Sequence, residues 1–284
     1  MAVGTAYLER YLAGEHERVW AELQALGEGV REPPLYPDAL AVARETMRRA
    51  RHNIERLIPH LEAIGYQFGY AWAVSANPQA GHQHTVAWRG PFLPPPPDTS
   101  MRLHELQTRV GPLPLSILAW FETIGEVDFV GRPPRHWGLA GSDEFDVDGE
   151  DVAASSVPPR LLDEGPTLEW CSLDPLCSWP LDAVMAMADP AAAEPDPADP
   201  DSGKGYLPLT PDPEGKYFIS GGGPIGIDVP NATADAEFVD LLPFVEYLRV
   251  CFRWAGFLGL RDYLGPMGAI GEDLSGLTRD LWPL

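Results

Sequence analysis

The sequence contains no apolar run approaching the roughly 20 residues that a membrane-spanning helix needs, so no segment is expected to cross a bilayer. The N-terminal stretch from Met1 to Arg18 is amphipathic and acquires Glu9 and Arg10 early, which does not fit a secretory signal. Cysteine is scarce. Cys171, Cys177 and Cys251 are odd in number and form no Cys-x-x-Cys pair, so no disulfide framework is expected and a reducing cytoplasm is. Also missing are GxSxG, HExxH and Walker sequences, and with them any nameable nucleophile, zinc-protease helix or phosphate loop.

Basic charge is the largest shortfall: 20 Lys and Arg face 42 Asp and Glu, for a net charge of -22. The imbalance is local. Met1 to Tyr66 holds 8 basic and 10 acidic residues, whereas Gly141 to Glu214 holds 18 acidic residues against only Arg160 and Lys204. Such a chain repels nucleic acid and anionic lipid and attracts a basic partner. Acidic loops that only keep the protein soluble would give the same composition.

Hydrophobic residues make up 45% of the chain, enough for a sizeable core. Leu8, Tyr11, Leu12, Val19, Trp20, Leu23 and Leu26 lie near one stripe, which predicts a helix over Thr5 to Gly27. A second helix is expected after Pro37 with Asp38 as its N-cap, running through Met47 and Leu61 to Gly65 with a kink or break near Arg56 caused by Pro59. Alternation from Tyr66 to Trp72 predicts a strand, and His84 to Trp88 a second. The polyproline stretch Phe92 to Asp98 is the best boundary, separating a segment 1–98 of helices and aromatic strands from a domain 99–284, although four prolines could also strap one domain together.

Beyond it, Ser100 is expected to cap a helix that buries Leu103, Leu106 and Val110 and stops at Gly111-Pro112. Pro114 opens the next helix, with Leu118, Phe121 and Ile124. Phe145 to Val152 reads as a hairpin turning at Asp148-Gly149, Leu168 to Leu173 as a strand and Leu181 to Met187 as a helix. Asp189 to Gly205 reads as a surface loop, Tyr217 to Ser220 and Ile225 to Val229 as strands around a glycine turn, and Leu241 to Ala255 as an amphipathic helix. Leu103, Leu106, Leu118, Phe121, Leu248 and Phe252 should share one core with Phe129 and Val130.

Several patterns touch on chemistry. Gly221 to Gly226 matches GxGxxG, but Pro224 intrudes and a strand-like IDVP follows where a phosphate site needs a helix start; a glycine turn that lets strands pass closely is the better reading. Glu144, Asp146, Asp148 and Gly149 have the spacing of a calcium loop, yet its first position is Glu and its twelfth is Ser155. His82 and His84 could share a strand face, with a third metal ligand sought at His52 or His60, but no zinc spacing supports them. Bound zinc, nucleotide and other cofactors are accordingly not expected. Trp120, Trp137, Trp170, Trp179 and Trp254 sit among apolar residues as core.

From Met101 to roughly Gly259 the chain resembles the SUKH superfamily, whose members include yeast cell-wall regulators and bacterial immunity proteins. The resemblance lies in the helix with Leu103 and Leu106, the break Gly111-Pro112-Leu113-Pro114, the aromatic helix ending Trp120-Phe121-Glu122-Thr123-Ile124-Gly125, the strand Val127 to Val130, the late glycine-rich strands and the FVEYLR helix. It implies an α+β fold with a central, mostly antiparallel sheet flanked by helices, here with an N-terminal helical extension. It also implies action by binding, without catalysis, often against a toxin. The expected partner is a basic protein met by Asp143, Glu144, Asp146, Asp148, Glu150 and Asp151 at the acidic hairpin tip. The alternatives are a metal-dependent enzyme using His82, His84 and that hairpin, or a housekeeping interaction scaffold.

Overall fold

The computed structural model describes residues 6–69, 89–139, 173–190, 204–216, 224–238, 242–262 and 267–284. The expected first helix is two: α1 (Tyr7–Leu12) and α2 (His16–Ala25). Gly14 separates them at φ +102°, a conformation L side chains rarely adopt. The apolar stripe survives the break, because Tyr11, Val19, Trp20 and Leu23 are all buried.

Helix α3 (Leu35–Ala63) starts before Pro37, and Asp38 is not its N-cap. Pro37 is tolerated there because first-turn donors have no intrahelical partner. The Asp38 carboxylate instead caps α1, accepting the Tyr7 N–H at 2.6 Å and the Leu8 N–H at 3.2 Å. The break expected near Arg56 does not occur; Pro59 lies within the continuous helix. One missing donor is outweighed by the buried stripe Val42, Met47, Ala50, Ile54, Leu57 and Leu61. Gly65, at φ +96°, ends the helix as expected.

The fold is α+β, and the described strands pair antiparallel in three short ladders. β1 (Gln67–Phe68) pairs with β4 (Gly131–Arg132). β2 (Phe92–Leu93), β3 (Glu126–Asp128) and β5 (Cys177–Ser178) form the second ladder. β6 (Gly205–Pro211) and β7 (Pro224–Val229) form the third. The Trp179 N–H donates to Leu209 O at 2.9 Å, which sets β5 beside β6. Proline explains the interruptions: Pro94, Pro133, Pro175, Pro180 and Pro208 have no N–H to extend a ladder. β7 thus pairs with β6, which the sequence reading did not assign, while Tyr217 to Ser220 lies outside the described residues. So do His84 to Trp88, Phe145 to Val152 and nearly all of Leu168 to Leu173.

Two glycines mark close approaches. A Cβ on Gly125 would sit 2.5 Å from Leu93 O, and one on Gly226 would sit 2.0 Å from Leu207 O. Gly125 therefore lets the polyproline stretch lie against the end of the aromatic helix, and Gly226 lets β6 and β7 touch. Gly226 lies in β7 and no helix start follows it; Gly221 to Gly223 lie outside the described residues.

The remaining helices are α4 (Thr99–Val110), α5 (Leu115–Thr123), α6 (Leu181–Met187), α7 (Pro213–Lys216), α8 (Phe244–Arg253) and α9 (Gly268–Leu277). Ser100 is in the first turn of α4 rather than at its cap; Asp98 holds that position and accepts from Arg102 Nε at 2.7 Å. Leu103, Leu106, Leu118, Phe121, Phe129, Val130, Leu248 and Phe252 are buried in one cluster, as their spacing predicts. That cluster also takes the α3 stripe. Arg44 on α3 is paired with Glu122 on α5 at 2.7 Å, so residues on both sides of the polyproline stretch share a core.

Phe252 is 5% exposed. Phe252→Ala should cost about 3–5 kcal/mol, read from urea denaturation midpoints. A loss under about 1 kcal/mol would show that the site does not bear on the core.

Candidate functional site

The expected contact residues Asp143, Glu144, Asp146, Asp148, Glu150 and Asp151 lie outside the described residues, as do His82 and His84. Of the third ligands considered, His52 stacks on Trp282 at 3.9 Å between ring centroids. Among the described residues the fold gathers three polar centres, and each holds distant parts of the chain together.

The first is built on Asp235. Helices α5 and α8 follow Pro114 and Pro243, which have no side chain to cap them. The segment 233–236 supplies the acceptors. Leu115 and Ser116 donate their N–H groups to Thr233 O and Ala234 O, and Phe244 donates to Ala236 O. The Asp235 carboxylate accepts from Val245 N at 3.0 Å, Ser116 Oγ at 2.6 Å and Gln24 Nε2 at 3.3 Å. A buried anion thus faces two helix starts, where the peptide dipoles favour it. Burial pushes its carboxyl up to about 6, with the Ser116 and Val245 hydrogen bonds opposing. Arg31 locks the same segment from outside: it donates to Ala232 O at 3.0 Å and to Leu113 O.

The second centre surrounds Lys216, at the end of α7. Its Nζ pairs with Asp174 Oδ1, and both side chains are buried, that of Lys216 to 2% exposure. Asp174 has φ +44°, rare for a residue with a Cβ. Its position is enforced by the Leu258 N–H, which donates to Asp174 O at 3.0 Å, and by the bridge from Pro175 to Phe257. Asp128 faces Cys177 in the β3–β5 register. Burial pushes the Asp128 carboxyl up to about 6, opposed by the hydrogen bond from Val130 N.

Cys177 and Cys251 are free and buried. Burial, and then Asp128, raises the Cys177 thiol, while burial and then Asp174 pushes Cys251 up to about 12. Both are held as thiols, the unreactive form. Burial, then Cys251 and Asp174, holds the Tyr247 hydroxyl well above its ordinary value. The cavity beside Cys177 and Tyr247 measures about 10 Å³, room for one water and no substrate.

The third centre fixes residues 281–284 to α3 and α8. Asn53 binds Trp282 through both backbone groups, donating to its O at 2.9 Å and accepting from its N at 2.7 Å. Arg48 lies over the Trp282 ring, Arg49 donates to Pro283 O at 3.1 Å and Arg249 Nε donates to Leu284 O at 3.0 Å. Arg49 also contacts His16 Nε2 at 2.9 Å. A guanidinium only donates, so that imidazole nitrogen must accept and the ring is neutral. Burial, then Arg49 and Arg249, lowers the His16 pKa accordingly. A groove of about 670 Å³ runs from this tail along the start of α2.

The sequence reading missed Asp174, Lys216 and Asp235. Apart from Val245, ten residues beyond Asp235, their side-chain partners lie 42 to 211 residues away, so no local pattern marks them. One signal was available for Lys216: the chain has only two lysines. No protein-family model, curated protein or solved structure matches the chain.

Asp235→Ala would strand donors at Val245, Ser116 and Gln24 and should cost about 2–4 kcal/mol in chemical denaturation. Asp128 gives a pH test. Its folded carboxyl titrates near 6 against 3.8 for the ordinary group, so the folded state binds more protons between those values. Its contribution to stability is full below the lower value and is lost as pH rises through the upper one. Relative to wild type, Asp128→Asn should therefore gain about 3 kcal/mol between about pH 4 and 7, measured as urea midpoints across that range.

Proposed function

We propose that the chain is a cytoplasmic binding protein of SUKH type that recognises a basic protein, such as a nuclease-like toxin, through its acidic middle segment. The observation that carries this reading is the 18 acidic residues against two basic ones between Gly141 and Glu214. Lys204 is moreover already paired with Asp228 at 3.0 Å, so it offsets little of that excess. Concentrated charge of one sign speeds encounter with a partner of the opposite sign and disfavours acidic competitors. It also costs stability by self-repulsion, which binding to a cationic surface relieves.

Further support comes from where the perturbed groups sit. Enzymes place such groups in clefts that substrate can enter. Here Cys177, Asp235, Tyr247 and Cys251 are buried in the core, and the half-buried Asp128 is engaged by the Val130 N–H. Their energetics serve the fold, and recognition is left to the surface. The α+β fold agrees with the class that the SUKH resemblance implies. No described helix is long and apolar enough to cross a membrane, which is compatible with action in the cytoplasm.

The test is affinity capture from the native cell followed by association kinetics over a salt series. The captured partner should be basic. Combined replacement of Asp143, Glu144, Asp146, Asp148, Glu150 and Asp151 by Lys should slow association by about tenfold or more and flatten its salt dependence. An acidic partner, or unchanged rates and salt slope, would remove this segment from recognition.

A further inference from the structure

Lys216 and Asp174 form an unusual pair for a soluble chain. Lysine is almost never fully buried, and an ion pair withdrawn from water loses hydration that its mutual attraction barely restores. This pair has almost no exposure, and Asp174 occupies a left-handed backbone conformation to make the contact. Strain of that kind persists only where the surroundings over-determine it. The enforcing contacts are the Leu258 N–H on Asp174 O and the Pro175–Phe257 bridge. Beside the pair, Asp128 projects from β3 opposite Cys177, three residues along the chain from Asp174. The arrangement is an amine and a carboxyl group held together out of water, with a second, half-buried carboxyl group near enough for the Lys216 charge to act on it.

We propose that this centre is a self-modification site at which Lys216 Nζ and Asp174 Cγ join in an intramolecular amide bond. The reaction is a condensation with no redox change. Nζ yields one proton, its lone pair attacks Cγ and a C–N bond forms; the nitrogen then yields a second proton, both protons pass to the departing oxygen and one C–O bond breaks. The departing oxygen leaves as water. An ammonium and a carboxylate thereby become one amide and one water, so atoms and charge balance without a co-reactant. Asp128 is the group placed to relay the proton from nitrogen to the leaving oxygen. Its tendency to bind a proton near neutral pH suits that role. Burial favours the change, because two desolvated charges are replaced by a neutral group, and fixed proximity supplies the effective concentration.

Such a bond would close a 42-residue loop and tie the start of β5 to the end of α7. Cross-links of this kind restrict the unfolded chain chiefly by lowering its loop entropy.

Mass spectrometry of the full-length protein decides the matter. Under denaturing conditions wild type should be lighter than its sequence mass by one water. Trypsin should fail to cut after Lys216, and a branched peptide should join Asp174 to Lys216. Lys216→Arg keeps the positive charge but cannot form the amide, and it should have its full sequence mass. Asp128→Asn should slow or abolish the water loss. Wild type at full sequence mass with normal cleavage after Lys216 would overturn the proposal, as would a water loss mapped to any other residue. Because wild type alone supplies the deciding result, a variant that fails to fold does not weaken the test.

Discussion

A buried carboxylate at the meeting of two helix starts is the constraint from which the rest of the arrangement follows. Asp235 could not remain in the core without donors, and α5 and α8 could not begin at prolines without acceptors. Each need meets the other. The same residue reaches Gln24, so the N-terminal helices register against the α5–α8 pair through one side chain. Arg31 clamps the backbone on either side of the junction, at Leu113 and Ala232. Position 231 helps to shape the turn, since Asn231 Oδ1 accepts from Thr233 N at 3.2 Å and from Thr233 Oγ1 at 2.6 Å.

This explains which parts of the fold were legible in the sequence. Periodicity located α4, α5, α6 and α8 closely, because the face that packs is written in the spacing of Leu103, Leu118, Val184 and Leu248. Helix ends were less legible. Asp38 is a capping residue by type, but it caps α1 rather than the helix it belongs to, and Asp235 lies outside the helix it caps. A local rule assigns a cap to its own helix; here tertiary contact reassigns it. Gly14 broke a helix that the apolar stripe carried straight through, and Pro59 failed to break one. In both cases side-chain packing was readable while the backbone cost was not.

The strands were the least legible part. Proline divides them into pieces of two to seven residues, too short for alternation to show. β6 contains two of its own prolines, Pro208 and Pro211, and the loop-like composition before it hid the strand. The polar centre at Lys216 depends on that strand and on β5, so it was invisible for the same reason. The charge asymmetry behind the binding hypothesis, in contrast, needed no fold to be seen. Composition spoke about charge, periodicity about the helices, and neither about the buried ionic contacts.

The anchoring of Trp282 to Asn53 joins residues 229 positions apart. A ribosome delivers the chain from its N-terminus, so α3 emerges long before the segment that covers its Arg48–Asn53 face. Until residues 281–284 arrive, Asn53 and Arg49 lack these tail partners, and the N-terminal helices have only part of their final surroundings. Completion of this part of the native structure is thereby postponed until residues 281–284 have been made. In the interval α3 remains open to whatever the cell offers in place of the tail.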